Sequence, residues 1–564
     1  MDNAFPRTWC EAFGRVAALH PDAVALRTPA DATVLTWADC RRRVDAIAAV
    51  LHELGVRRGD TVAMMLVNRP EFHLVDTAVL HLGATPFSIY NSNSPEQIEY
   101  LFANAGNKVV VTEPQFVARL QAAGASCVVS VEECPDALSL TELEATAAPI
   151  DVAAMAAAVQ PDDVATLIYT SGTTGPPKGV ECTHRQLLAA AEGMAAWFPV
   201  GPEDSNVSFL PSAHIADRIA NHYLHLRYGM SITSVADPRA VAAGLVDAAP
   251  TVFGATPGIW QRIRSAVLPT LGGTAPADLD PAMKAAIREK LGLHQLRWAA
   301  CGAAPVPPEV LAFFNDLGVP VVEVWGMSEI SGIGTTNLLA DNRPGSVGRV
   351  LPGSEAKLAP DGELLFRGAQ VMRGYRHQPE ATAAAIDAEG WLHTGDVATV
   401  DEDGYITIID RKKEIIINAA GKNMSPANIE TMLKASAPLL SQVVAIGDAR
   451  GYVTALFVLD PDAAAAWATA QGLDERTPDA LATNPALLDT LEAGVRAGNR
   501  RLSRVEQIKR FRVLPDVWVP GGVELTPTMK LRRRPIAERY AAEIEELYDP
   551  EPPATVRSLA AEIP

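Results

Sequence analysis

The run Tyr169-Thr170-Ser171-Gly172-Thr173-Thr174-Gly175-Pro176-Pro177-Lys178-Gly179 gathers hydroxyl side chains, glycines and a lysine within one short segment. Glycines let the backbone approach an anion closely, hydroxyls add hydrogen-bond donors, and Lys178 adds a positive charge. Together these are the parts of a phosphate cradle. The run is not the Walker form, which, counted from Gly172, needs Gly where Pro177 stands and Ser or Thr where Gly179 stands. The apolar triplet Leu167-Ile168-Tyr169 predicts a strand before the loop, and Thr183 can cap a helix after it. In isolation, the same letters also make an ordinary polar turn.

The elements that would carry such a loop alternate along the first four hundred residues. Val44, Ile47, Leu51 and Leu54 recur at helical spacing and Gly55 suits the stop, so 43–55 is expected as helix. Thr61 to Val67 reads as a buried strand. Short apolar runs follow at Val109-Val110-Val111, Thr251-Val252-Phe253, Leu296-Arg297-Trp298 and Val321 to Val324, with helical stretches at 282–291 and 308–317. This alternation predicts an α/β fold with parallel sheets covered by helices. Near position 350 the pattern turns to short β-like runs, at 363–368, 405–409 and 414–418, which predict a small antiparallel, β-barrel-like region closing the large domain. A smaller α+β domain follows, with helix at 429–433, strands at 443–446 and 454–459, and an Ala-rich helix from Asp462. The charged stretch Asp410-Arg411-Lys412-Lys413-Glu414 marks the boundary. We therefore expect a large N-terminal domain at 1–410, a small C-terminal domain at 411–548 and a loose tail at 549–564.

Composition narrows the function classes. The 48 Lys+Arg against 67 Asp+Glu leave a net charge of −19, which argues against a nucleic-acid-binding face. The six cysteines, Cys10, Cys40, Cys127, Cys134, Cys182 and Cys301, contain no Cys-x-x-Cys pair, so buried reduced thiols in a cytoplasmic protein are expected. No signal-peptide pattern opens the sequence and no run of about 18 apolar residues crosses a membrane, so membrane contact, if present, is peripheral. The oligomeric state is not legible. His222 and His225 lie three apart without a Cys or carboxylate beside them in sequence, and read as packing or surface residues. A hydrolase lacks its Gly-x-Ser-x-Gly elbow, and a dehydrogenase lacks its Gly-x-Gly-x-x-Gly.

The loop at 169–179 resembles the signature of the adenylate-forming (ANL) superfamily of acyl-CoA synthetases, aryl-CoA ligases, luciferases and peptide-synthetase adenylation domains. Four further segments are similar to that family's motifs and occur in its order: Trp325-Gly326-Met327-Ser328-Glu329, Thr394-Gly395-Asp396, Asp410-Arg411-Lys412-Lys413-Glu414, and Thr526-Pro527-Thr528-Met529-Lys530. Phe209-Leu210-Pro211-Ser212-Ala213-His214-Ile215, Gly302-Ala303-Ala304-Pro305 and Gly421-Lys422-Asn423-Met424-Ser425-Pro426 resemble the long-chain and bubblegum-type fatty acyl-CoA synthetases. Ser212 stands where that branch has Leu, and Trp325 where it has Tyr.

The resemblance implies a ligase using ATP, Mg²⁺ and coenzyme A. A fatty acid is first joined to AMP with loss of pyrophosphate, and the acyl group then passes to coenzyme A. It implies that Thr170, Ser171, Gly172, Thr173, Thr174 and Lys178 hold the β- and γ-phosphates. Glu329 would bind the metal, and Gly302, Ala303, Trp325, Gly326 and Ser328 would frame the nucleotide, with Trp325 offering a face to adenine. Asp396 and Arg411 would grip the ribose, and His214 would gate the carboxylate end of the acyl pocket. Lys530 would be the catalytic lysine, carried on a mobile small domain that pivots at Lys413, after which the Gly421 to Pro426 loop would line the pantetheine path. The related alternative is a fatty acyl-AMP ligase loading a carrier protein. The absence of an insertion between Tyr405 and Pro426 favours coenzyme A. Acyl chain length is not legible.

Overall fold

The computed structural model describes residues 5–170, 176–419 and 422–559. Among them the largest sheet has eight strands. Its parallel part runs through Val164–Thr170, Thr85–Ser88, Thr61–Met65, Val109–Thr112, Val128–Ser130 and Leu138–Ser139. Every residue of Thr61–Met65 is buried, as a strand covered on both faces requires. The helix Trp37–Glu53 packs on the helix Pro70–His81, adds Val44, Ile47 and Leu51 to the core that holds Val62 and Met64, and starts on a capping box between Thr36 and Asp39. Side chains of that size stabilise by about 1.5–3 kcal/mol each when buried.

A second sheet runs parallel through Val252–Ala255, Trp298–Cys301 and Val321–Trp325, then adds two short antiparallel strands. The expected strand at Leu296 begins only at Trp298, and the side chain of Arg297 makes a bidentate pair with the buried carboxylate of Asp204 at 3.0 and 2.6 Å. The region expected to be barrel-like is a four-stranded antiparallel sheet of Ser354–Leu358, Glu363–Gly368, Leu392–Val400 and Ile406–Arg411.

Beyond it, a separate apolar core gathers Ile416, Met424, Ile429, Leu433 and Phe457 around a further sheet. In that sheet Leu440–Ile446 pairs antiparallel with Val453–Leu459, which pairs parallel with Ile508–Leu514. The helix Pro426–Ser436 covers it. Two expectations fail here. The tail as described, to residue 559, is not loose, since Val556–Ser558 pairs antiparallel with Ile508–Leu514, and Val556 and Leu559 are buried. Two apolar side chains suffice to anchor a strand in an otherwise polar stretch. The run expected as strand at 414–418 pairs only at Ile416–Ile417, with Asn423–Met424.

Candidate active site

Thr170 and Lys178 face each other as the last register pair of an antiparallel hairpin, Val164–Thr170 against Lys178–Thr183. Ser171, Gly172, Thr173 and Thr174, which lie between them, fall outside the described residues. The loop thus joins two strands and does not lead straight into a helix. The helix His184–Ala195 starts six residues later, with Thr183 capping it as expected. The whole strand Lys178–Thr183 therefore separates the start of that helix from the loop.

In the second sheet, the turn Ser328–Ile330 that follows Val321–Trp325 contacts the strand Lys178–Thr183. Gly302 follows Trp298–Cys301, and a Cβ there would stand 2.7 Å from the Val324 carbonyl oxygen, so only glycine fits. Ala303 has φ of 71°, an uncommon conformation for a residue with a Cβ. Trp325 closes Val321–Trp325, and Ser328 and Glu329 sit in the short 3₁₀ turn that follows, after Gly326. Glu329 is 9% exposed, so it is no solvated carboxylate, and its Oε1 accepts from the Tyr375 hydroxyl at 2.9 Å.

Asp396 and Arg411 are register partners on adjacent antiparallel strands, and Arg411 Nε lies 2.8 Å from Asp396 Oδ1. The other oxygen, Oδ2, accepts from Trp325 Nε1 at 2.8 Å. The Trp325 indole is 8% exposed, so the side chain expected to offer a stacking face is largely enclosed and acts through its N–H. Burial raises the Asp396 carboxyl above the ordinary aspartate range, against the opposing effects of Arg411, Trp325 and Lys530.

Lys530 reaches this site from the far end of the chain on a turn tied at both ends. The Thr526 N–H donates to the Lys530 carbonyl at 2.8 Å and the Lys530 N–H to Thr526 Oγ1 at 3.0 Å. Lys530 keeps solvent contact, yet loss of water around its ammonium and then the Arg411 guanidinium lower it below the usual lysine range, while Asp396, Glu414 and Glu329 pull the other way. His214 feels the same charge. Burial first, then Lys530, pushes its imidazole down to about 4, so it is neutral at pH 7. Its Nδ1 accepts from the Ala216 N–H at 3.1 Å, which assigns the ring proton to Nε2.

Lys413 is exposed at the junction, between Lys412, which pairs with Glu363 at 2.9 Å, and Glu414, which pairs with Arg533 at 3.1 Å. Asp410 Oδ2 accepts from Ser425 Oγ at 2.5 Å and from the Ala427 N–H at 3.1 Å. Gly421 lies outside the described residues.

Sequence reasoning missed the support of the His214 segment. Arg218 donates through Nε to the Ser212 carbonyl at 3.0 Å and pairs with Asp76 at 2.5 Å, both side chains fully buried. His222, expected at the surface or in plain packing, is buried with its Nε2 2.9 Å from Asp76 Oδ1, and His225 is buried with Nδ1 2.6 Å from the Met230 carbonyl oxygen. Asp76 lies on the helix Pro70–His81, far away in sequence, so spacing carries no sign of it. Tyr375 was missed as well, since nothing in its local spacing ties it to Glu329 or Lys178.

The residues fit Mg²⁺ in the form that cation favours, one carboxylate oxygen completed by phosphates and water. No group of three or more His, Cys, Asp or Glu among the described residues could hold a metal by itself. All six cysteines are free thiols.

Comparisons with known proteins show the family and the fold. Residues 13–376 match the AMP-binding enzyme family and residues 413–552 match the AMP-binding enzyme C-terminal domain. The chain is 49% identical to the putative fatty-acid–CoA ligase fadD11 of Mycobacterium tuberculosis over 73% of this chain and 79% of that protein. It is 34% identical to the long-chain-fatty-acid–CoA ligase FadD15 of Mycobacterium bovis over 92% of this chain and 93% of that one. Its fold is similar to that of O-succinylbenzoate coenzyme A synthetase from Bacillus subtilis, solved with ATP and magnesium, at a TM-score of 0.71 and 23% identity, covering 93% and 98% of the two chains. The chain belongs to the AMP-binding enzyme family.

Proposed function

We propose that this protein is an AMP-forming fatty-acid–CoA ligase. A carboxylate is a poor acyl donor because its leaving group would be an oxide. In the first half-reaction a fatty carboxylate oxygen attacks the α-phosphorus of ATP, the bond to the bridging oxygen breaks, and pyrophosphate leaves. In the second, the coenzyme A sulfur attacks the acyl carbon, AMP leaves with the C–O bond electrons, and the thiol proton is lost. The carrying observation is that Lys530 lies within electrostatic reach of Asp396, Glu329 and His214, although the chain supplies it more than a hundred residues later.

The residue roles belong to the same reading. Lys530 bridges the attacking carboxylate and the α-phosphate, where negative charge accumulates in the transition state. Lys178, Thr170 and the loop 171–174 hold the outer phosphates, and Gly302, Ala303, Trp325, Gly326 and Ser328 frame the nucleoside. Asp396, aimed by Trp325 and Arg411, takes the ribose hydroxyls. Neutral His214 keeps one N–H for the carboxylate end of the acyl chain. Glu329 holds Mg²⁺, which when bound neutralises phosphate charge. The chain divides at 410/411, and the small domain pivots about Lys413 between half-reactions. No helix among the described residues is long and apolar enough to cross a membrane; we assign the enzyme to the cytoplasm.

The test is acceptor choice. With ATP, a long-chain acid and Mg²⁺, AMP release should require coenzyme A and yield a thioester stoichiometrically. AMP release that instead requires an acyl carrier protein would identify the carrier-loading alternative.

A further inference from the structure

Lys178 and Glu329 carry opposite charges, and both contact one aromatic side chain, that of Tyr375. Lys178 Nζ lies over the ring of Tyr375, 4.6 Å from its centroid, and the hydroxyl of the same ring donates to Glu329 Oε1 at 2.9 Å. One phenol therefore touches the cation that opens the strand after the loop and the carboxylate in the 3₁₀ turn. Left to themselves, a lysine and a glutamate in one cleft would pair, and each would then have to be pulled away before binding phosphate or metal.

Tyr375 is itself held firmly. The short strand Gly374–Tyr375 pairs antiparallel with Lys178–Thr183, placing Tyr375 opposite Val180. Its N–H donates to Thr382 Oγ1 at 2.9 Å, and that hydroxyl donates onward to the Gln378 carbonyl oxygen at 2.9 Å. Gly374 has φ of 154°, and a Cβ there would stand 2.8 Å from Thr382 Cγ2, so glycine permits this close approach.

We propose that Tyr375 is a positioning residue that keeps Glu329 and Lys178 apart and oriented, the first for a divalent cation and the second for a polyphosphate. This rests on the assignment of Glu329 to the metal given above.

The experiment measures binding without turnover in the full-length protein. Mn²⁺, standing in for Mg²⁺, is titrated by electron paramagnetic resonance in the presence of a nonhydrolysable ATP analogue, and metal-free ATP is titrated by calorimetry with a chelator present. Tyr375→Phe keeps the ring under Lys178 and removes only the hydroxyl. It should raise the Mn²⁺ dissociation constant about tenfold, the effect of losing a hydrogen bond to a charged group, and leave metal-free ATP within about twofold. Tyr375→Leu removes the ring as well and should weaken both. The double variant Tyr375→Phe/Glu329→Gln should bind Mn²⁺ no worse than Glu329→Gln alone, because the phenol acts through that carboxylate. An Mn²⁺ dissociation constant unchanged in Tyr375→Phe, or additive losses in the double variant, would overturn the proposal. If Glu329→Gln itself left Mn²⁺ binding unchanged, the metal assignment would fall first and this proposal with it.

Discussion

The indole N–H of Trp325 donates to Asp396 Oδ2 at 2.8 Å, so the carboxylate assigned to the ribose is fixed at one oxygen by Trp325 and at the other by Arg411. Each carboxylate oxygen keeps a further lone pair, which under the proposed role would accept from the ribose hydroxyls. Trp325→Phe removes the donor and keeps an aromatic ring. A buried hydrogen bond to a charged group contributes about 1.5–3 kcal/mol, so KM for ATP should rise about tenfold or more. KM for the fatty acid should stay within about twofold. A rise in the fatty-acid KM instead would place Trp325 outside the nucleotide site.

Arg218 and Asp76 form a fully buried ion pair 2.5 Å long beneath the segment that carries His214. Removing one partner of such a pair leaves an uncompensated buried charge and costs about 3–5 kcal/mol. Asp76→Asn should lower the urea midpoint accordingly. Because Arg218 also holds the Ser212 carbonyl, KM for the acid should rise more than KM for ATP. A stability loss under about 1 kcal/mol would show that the pair is not structural.

Three fully buried imidazoles set an acid limit on folding. Burial pushes His81 down to about 4 and His184 and His225 down to about 3. Unfolded, each titrates near 6.5. Their stabilisation is complete above about pH 6.5 and is lost as pH falls toward 3, because the unfolded chain takes up protons that the folded chain refuses. Asp217, raised by burial to about 6, and Glu323, raised to about 7, work in the opposite direction, since the folded chain holds their protons more tightly. His184 Nδ1 accepts from the Trp9 N–H at 3.1 Å, a role that a glutamine carbonyl oxygen can fill. His184→Gln should therefore flatten the stability slope between pH 6 and pH 4 by about 1.4 kcal/mol per pH unit. A slope identical to that of the parent would show that His184 titrates alike in both states.

The sequence revealed most where local pattern decides structure. Val44, Ile47 and Leu51 announced their helix by spacing, and Thr61 to Met65 announced a strand by an unbroken apolar run. Lys530, Asp396 and Glu329 were legible because each sits in a short run that resembles a family motif. The hairpin at Thr170 and Lys178 was misread as strand-to-helix because Thr183 does cap a helix, and the intervening strand has few apolar letters. Tyr375 and Asp76 were illegible for another reason: their roles depend on partners brought close only by the tertiary fold, at Glu329 and Arg218.

The central claim is that Lys530 serves adenylation alone, so the most direct measurement compares the two half-reactions in Lys530→Ala. We expect pyrophosphate release from ATP and fatty acid to fall by about three orders of magnitude or more, as loss of a charge placed for the transition state implies. Thioester formation from supplied acyl-adenylate and coenzyme A should stay within about threefold of the parent protein. Equal losses in both half-reactions would contradict the account.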